Sequence, residues 1–174
     1  MKKNEFYSRQ IKSLGNDCQK KIEQQKVVVI GLDELGIELC KCICLLGIKK
    51  LYIYDPEYVK FKNYTFFTVT KKHIHTEAYN YLKKLNPFVE IEIYQNNLDI
   101  DIIVQTKPDI NIHNINSPYQ LNDYCRAHNF KYICCFVSGF SGYLFNDWIS
   151  HTIVDENGEK KKINFIQSVD SNKI

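Results

Sequence analysis

An α/β fold with a mostly parallel sheet flanked by helices is what this 174-residue sequence predicts, and three observations predict it. Val27 to Ile30 is an apolar, β-branched run suited to a strand buried on both faces. Gly31 and Gly36 then bracket a turn that leads into an apolar segment with helical spacing. From there strand-like and helix-like segments alternate, as they do where helices cross over between parallel strands, and the closely spaced strand patterns near the carboxyl end add a few antiparallel strands.

The amino end, Met1 to Gln25, carries Tyr7, Ile11, Leu14, Cys18 and Ile22 at three- or four-residue spacing. That gives an apolar stripe on a helix bent near Gly15, packed on the domain. Arg9 stands in a Tyr-Ser-Arg-Gln run and is one of only 2 arginines; from composition alone it reads as an ordinary exposed helix residue. The glycine turn fits the frame G-x-G-x-x-G, the Rossmann-like strand-turn-helix unit in which backbone amides at the helix start face a phosphate. Its first and third glycines are Gly31 and Gly36, but the middle position is Asp33, followed by Glu34. A carboxylate about 4 Å from a phosphate costs ~1 kcal/mol when well hydrated and ~4 kcal/mol at an effective dielectric near 20. The fold signal survives, and the loop is degenerate as a phosphate site. Ile37 to Leu46 forms the following helix, largely buried, with Gly47 as its stop.

Leu51 to Tyr54 is a second strand ending in Asp55, about 20 positions after the turn, where such a fold holds ribose hydroxyls. Pro56 follows, so Asp55 is equally well read as a structural stop. Tyr58 to Thr70 is a connection of loop length, too rich in aromatics (Tyr58, Phe61, Tyr64, Phe66, Phe67) for a solvated loop; these rings either pad the domain or meet a partner. A helix from Thr76 to Leu85, a strand from Phe88 to Tyr94, a strand from Ile110 to His113 and a polar loop from Asn114 to Pro118 come next. A helix from Tyr119 to His128 leads to strands at Lys131 to Val137, Tyr143 to Asn146, His151 to Val154 and Ile163 to Val169.

Composition narrows the partners. With 44% hydrophobic and 25% charged residues the chain suits one domain with a real core. Its net charge of +3 rests on 21 lysines and 2 arginines against 20 acidic residues, which argues against a nucleic-acid surface. No apolar run approaches the ~18 residues of a membrane span. Seven cysteines without a signal peptide point to reduced thiols in the cytosol or nucleus. Cys40, Cys42 and Cys44 fan around a helix, Cys134 and Cys135 point to opposite faces of a strand, and His73 and His75 lack a third ligand nearby, so no metal site is expected.

The Tyr7-Ser8-Arg9-Gln10 opening, Gly15, the run VVVIGLDELGIELCKCICLLGIKKLYIYD, Asn116-Ser117-Pro118, Cys125, Gly139 to Asp147 and VDENGE from Val154 together resemble the amino-terminal, inactive adenylation-like (ThiF/MoeB-like) half of ubiquitin-activating enzymes. The resemblance covers nearly the whole chain. It implies a cytoplasmic and nuclear protein and a division into an adenylation-like domain at residues 1–157 and the start of a further domain at 158–174 of a longer chain. Activating enzymes for SUMO or NEDD8 share the fold but usually have Tyr-Asp-Arg-Gln and a tryptophan before the glycine, where this chain has Ser8 and Leu14. In the family an active half, which the resemblance places on the same chain, holds Mg-ATP and adenylates ubiquitin, while the other half supports it. Here the middle glycine is Asp33, the ATP-contacting arginine falls near Phe66, no lysine matches clearly, and the magnesium aspartate falls near Asn114 or Asn116. The resemblance therefore implies no catalytic residue and no cofactor of its own for this chain, and gives Arg9 a role in trans, reaching ATP on the active half. A free-standing nucleotide-binding enzyme and a purely structural interaction module stay open as alternatives.

Overall fold

The computed structural model describes residues 3–96, 99–115 and 117–150. In chain order the elements are α1 (Lys3–Phe6), α2 (Ser8–Leu14), α3 (Asn16–Ile22), β1 (Lys26–Ile30), α4 (Glu34–Leu46), β2 (Lys50–Tyr54), β3 (Tyr58–Asn63) and β4 (Thr68–His73). They continue with α5 (Ile74–Leu85), β5 (Glu90–Ile93), β6 (Ile102–Gln105), α6 (Pro118–Ala127), β7 (Lys131–Ser138) and β8 (Ser141–Asp147). A six-stranded sheet runs in the order β5-β2-β1-β6-β7-β8, parallel throughout except for β8, which returns antiparallel to β7. The chain leaves β1 toward β2 and β5 and comes back on its other side at β6. The turn after β1 therefore lies at the topological switch point, where open α/β sheets form their clefts.

β1 is buried on both faces, and alternation divides its side chains. Val27 and Val29 join Ile37, Cys40 and Cys44 of α4 and Ile74, Ala78 and Leu82 of α5 in one core layer. Val28 and Ile30 join Tyr52, Ile103, Tyr132 and the α6 residues Leu121 and Cys125 in the other. Cys134 falls in the second layer and Cys135 in the first, as strand geometry requires of neighbours.

Several boundaries differ from the sequence reading. The strand beside β1 is Ile102–Gln105, paired with β1 and β7 alike, and not Ile110 to His113. Ile110 and Ile112 are still buried, but as part of a flap closed by the single bridge Ile112 to Ile115, with His113 and Asn114 at φ 53° and 61°. Alternation alone does not distinguish such a flap from a strand, since only pairing makes the strand. The aromatic connection is no loop: β3 and β4 form an antiparallel hairpin in which Tyr64, Phe66 and Phe67 pack on the core beside Tyr81, leaving Tyr58 and Phe61 exposed. Leu45 and Leu46 on the last turn of α4 are exposed rather than buried. The amino-terminal stripe does break at Gly15, φ 83°, into α2 and α3, but of its residues Tyr7 alone is buried, Ile11 and Ile22 are half-buried, and Leu14 and Cys18 are exposed. The strands expected at His151 to Val154 and Ile163 to Val169, and the boundary at 157/158, lie outside the described residues.

Candidate functional site

At the switch point the turn is filled by the chain's own groups. Gly31, φ 94°, donates its N–H to the Tyr54 carbonyl at 2.9 Å. A Cβ there would lie 2.7 Å from the Lys107 nitrogen, and one at Gly36 would overlap the Gly31 carbonyl oxygen, so both glycines are required by strand-helix packing. Asp33 is the N-cap of α4: its Oδ1 accepts from the Gly36 N–H at 2.8 Å. That bond puts a carboxylate on the amides a phosphate would use. Glu34 turns away, side chain 73% exposed, toward Lys62 at 3.6 Å.

Asp55 is fully buried. Its Oδ2 accepts from the Leu32 N–H at 2.8 Å and from the Lys107 ammonium at 3.0 Å, and its Oδ1 accepts from the Glu57 N–H at 3.0 Å. Lys107 also reaches Glu57 Oε2 at 2.6 Å. Burial works against its charge, but hydrogen bonds to Glu57 and Asp55 outweigh it and hold the Lys107 pKa above the ordinary lysine value. Tyr64 comes over from the β3–β4 hairpin and donates its hydroxyl to the Leu32 carbonyl, while burial and the nearby acidic groups push its pKa up. Thr106 donates its hydroxyl to the Gly31 carbonyl at 3.0 Å. Behind Lys107, Gln105 donates to the Lys107 carbonyl at 3.2 Å and receives the Tyr132 hydroxyl.

The structure thus brings Gly31, Asp33, Gly36 and Asp55 together and leaves Arg9 apart. Tyr7 and Gln10, three positions apart, face inward. The Tyr7 hydroxyl oxygen accepts from Asn86, whose Nδ2 donates to it and to the Cys44 carbonyl, both at 2.7 Å; a Cβ on Gly47 would lie 2.5 Å from the Tyr7 ring. Gln10 donates to the Leu46 carbonyl at 2.8 Å. These contacts fix α2 against the carboxyl end of α4, whose 13 residues span about 20 Å from the glycine turn. Arg9 points outward, exposed and without an ion-pair or hydrogen-bond partner among the described residues. Of the two asparagines at the expected magnesium position, Asn114 is exposed in the flap and Asn116 lies outside the described residues.

Cys125, the one thiol next to an arginine, is buried and pushed up to about 12 by that burial, while Arg126 pairs with Asp147 instead. His73 and His75 stack at 5.4 Å, their Nδ1 atoms on the Pro56 and Asp55 carbonyls. Among the described residues no group of three or more His, Cys, Asp or Glu is placed to hold a metal.

Sequence reasoning missed Lys107 and Thr106 and read Tyr64 only as one ring of the aromatic connection. Placing the strand after Tyr94 at Ile110 to His113 moved attention to the Asn114 to Pro118 loop; the signal available was the apolar run Ile102 to Val104 followed directly by Gln-Thr-Lys-Pro.

Among known proteins, the chain is 31% identical over 179 residues to ubiquitin-like modifier-activating enzyme 1 of Dictyostelium discoideum, covering 97% of this chain and 17% of that protein. It is 29% identical over 174 residues to a ubiquitin-activating enzyme of Candida albicans, covering 96% and 17%. It is 27% identical over 173 residues to SUMO-activating enzyme subunit 1 of Xenopus tropicalis, covering 90% and 48%. The chain thus spans about a sixth of the ubiquitin-type relatives and about half of the SUMO-type subunit. The ThiF family pattern matches residues 7–159, which takes in the anchoring Tyr7, the glycine turn, Asp55 and the whole described sheet, and the chain belongs to the ThiF family.

Proposed function

We propose that this chain is the supporting, non-catalytic adenylation-like half of a ubiquitin-activating enzyme of the cytoplasm and nucleus. It pairs with an active half that holds Mg-ATP and ubiquitin, and it extends Arg9 toward the terminal phosphates there. The observation that carries the reading is the separation of Arg9 from this chain's own turn. The turn is engaged by Asp33 and Asp55, while Arg9 stands exposed at the other end of α4 with its neighbours Tyr7 and Gln10 anchored. An exposed cation on an anchored helix, with no partner among the described residues, suits charge stabilisation supplied in trans. The pairing face favoured by exposure is the β7–β8 hairpin, with Phe136, Val137, Phe140, Tyr143, Leu144 and Phe145 all exposed, together with Tyr58 and Phe61 of the β3–β4 hairpin.

The test is Arg9→Ala in the complete enzyme. Ubiquitin adenylate formation, read by ATP–pyrophosphate exchange, falls at least about tenfold, ~1.4 kcal/mol of transition-state stabilisation, while the thermal midpoint stays put. An unchanged exchange rate overturns the role of Arg9. A second reading, as the corresponding subunit of a SUMO-activating enzyme, draws on the 27% identity over 90% of the chain; Ser8 and Leu14 favour the ubiquitin type.

A further inference from the structure

The contacts around the glycine turn form a closed set. The Gly36 N–H is taken by Asp33, the Leu32 N–H by Asp55, and the Asp55 carboxylate by Lys107 and the Glu57 N–H. Lys107 is placed from behind: its carbonyl accepts from Gln105, and its backbone nitrogen is packed against Gly31. The Lys107 side chain is only 19% exposed and the Asp55 side chain 1%. Tyr64 closes the remaining side with its hydroxyl on the Leu32 carbonyl. In a nucleotide-binding turn of this kind the helix amides face phosphate, and the carboxylate after the second strand holds ribose hydroxyls. Here the anion at the amides is a carboxylate, and the donor at the carboxylate is an ammonium.

We propose that Asp33 and Lys107 are built-in occupants of the ancestral nucleotide site: the Asp33 carboxylate takes the phosphate position at the start of α4, and the Lys107 ammonium takes the ribose position on Asp55. The degenerate site is therefore a filled one. Its two occupants cross-brace the carboxyl ends of β1, β2 and β6 as a bound nucleotide would. This deepens the supporting-half reading and rests on it. Lys107 is the positioning residue of the brace, because among the described residues it alone joins the end of β6 to both Asp55 and Glu57 beyond β2.

The experiment is calorimetric titration of the 174-residue chain with Mg-ATP, in its natural form and as Asp33→Ser/Lys107→Met. Serine keeps a helix cap while removing the negative charge, and methionine keeps most of the lysine stem. The natural chain gives no heat up to the highest Mg-ATP concentration titrated, and the folded double variant gives a saturable isotherm with its midpoint at least about tenfold below that concentration. Circular dichroism and the thermal midpoint establish folding. A double-mutant cycle of Lys107→Met with Asp55→Asn supplies the second readout: Lys107→Met lowers the midpoint by several degrees on its own and by much less when Asp55 is already asparagine. A folded double variant as silent as the natural chain, or midpoint shifts that simply add, overturns the occupancy and leaves the supporting-half reading intact. Mg-ATP binding by the natural chain overturns both.

Discussion

Alanine at Gly36 would drive its Cβ into the Gly31 carbonyl oxygen, a backbone atom with no rotamer to escape through. If the two glycines persisted only to admit a phosphate, Gly36→Ala would be nearly neutral in a chain that holds none. Packing predicts otherwise: Gly36→Ala costs ~3 kcal/mol or more, read as a fall of roughly 6 to 12 °C in the thermal midpoint. A midpoint within 2 °C of the natural chain would refute the packing role. His75 gives a second residue-scale prediction. Burial holds its pKa below the ordinary value, with the hydrogen bond to the Asp55 carbonyl acting against it and neighbouring His73 adding to it. The unfolded chain therefore takes up this proton first. Stability is whole above about pH 6.5 and declines as pH falls below it toward the folded pKa. His113, also lowered by burial, adds to the same window. The carboxylates whose values are depressed, Glu23, Glu90, Asp99 and Asp147, respond only at more acid pH. The thermal midpoint at pH 5.5 should thus lie below that at pH 7.5, and His75→Asn should shrink the difference; equal differences in both proteins would exclude His75.

The β7–β8 hairpin divides sharply along its length. Tyr132, Cys134 and Cys135 at the start of β7 are core, whereas every residue of β8 before Asp147 is exposed. Beyond the core the hairpin carries Phe140, Val137 and Leu144 in the open, a contiguous apolar stretch of the sort that marks interaction surfaces. Because these side chains contribute little to the fold, Phe140→Asp/Leu144→Asp should move the thermal midpoint by no more than about 2 °C. If the proposed pairing holds, the same two changes should weaken association of the two halves at least about tenfold, measured by titrating this half, expressed separately, into a separately expressed active half. A large loss of stability, or undiminished pairing, would remove this hairpin from the pairing face. Much of the element plan was legible from pattern alone: the buried β1, the break at Gly15, and the opposed Cys134 and Cys135 all follow from local chemistry. The β3–β4 hairpin and the true position of β6 were not, since both depend on which strand the chain finds beside it.

At the scale of the molecule, two core layers sandwich a mostly parallel sheet, with the switch-point turn at one end and the anchored amino-terminal helices at the other. The frame of the candidate site, from Gly31 through Asp33 to Asp55, was visible in the sequence because it is a short strand-turn-helix unit. Its closure was not visible, because Lys107 meets Asp55 across 52 positions. The role proposed for Arg9 rests on family resemblance, since no spacing rule marks one outward arginine. The bare rings of the hairpin also bear on how this chain behaves in a crowded solution: rings left in water are the surface on which copies of a protein adhere to one another, so whatever comes to cover them also keeps the copies apart.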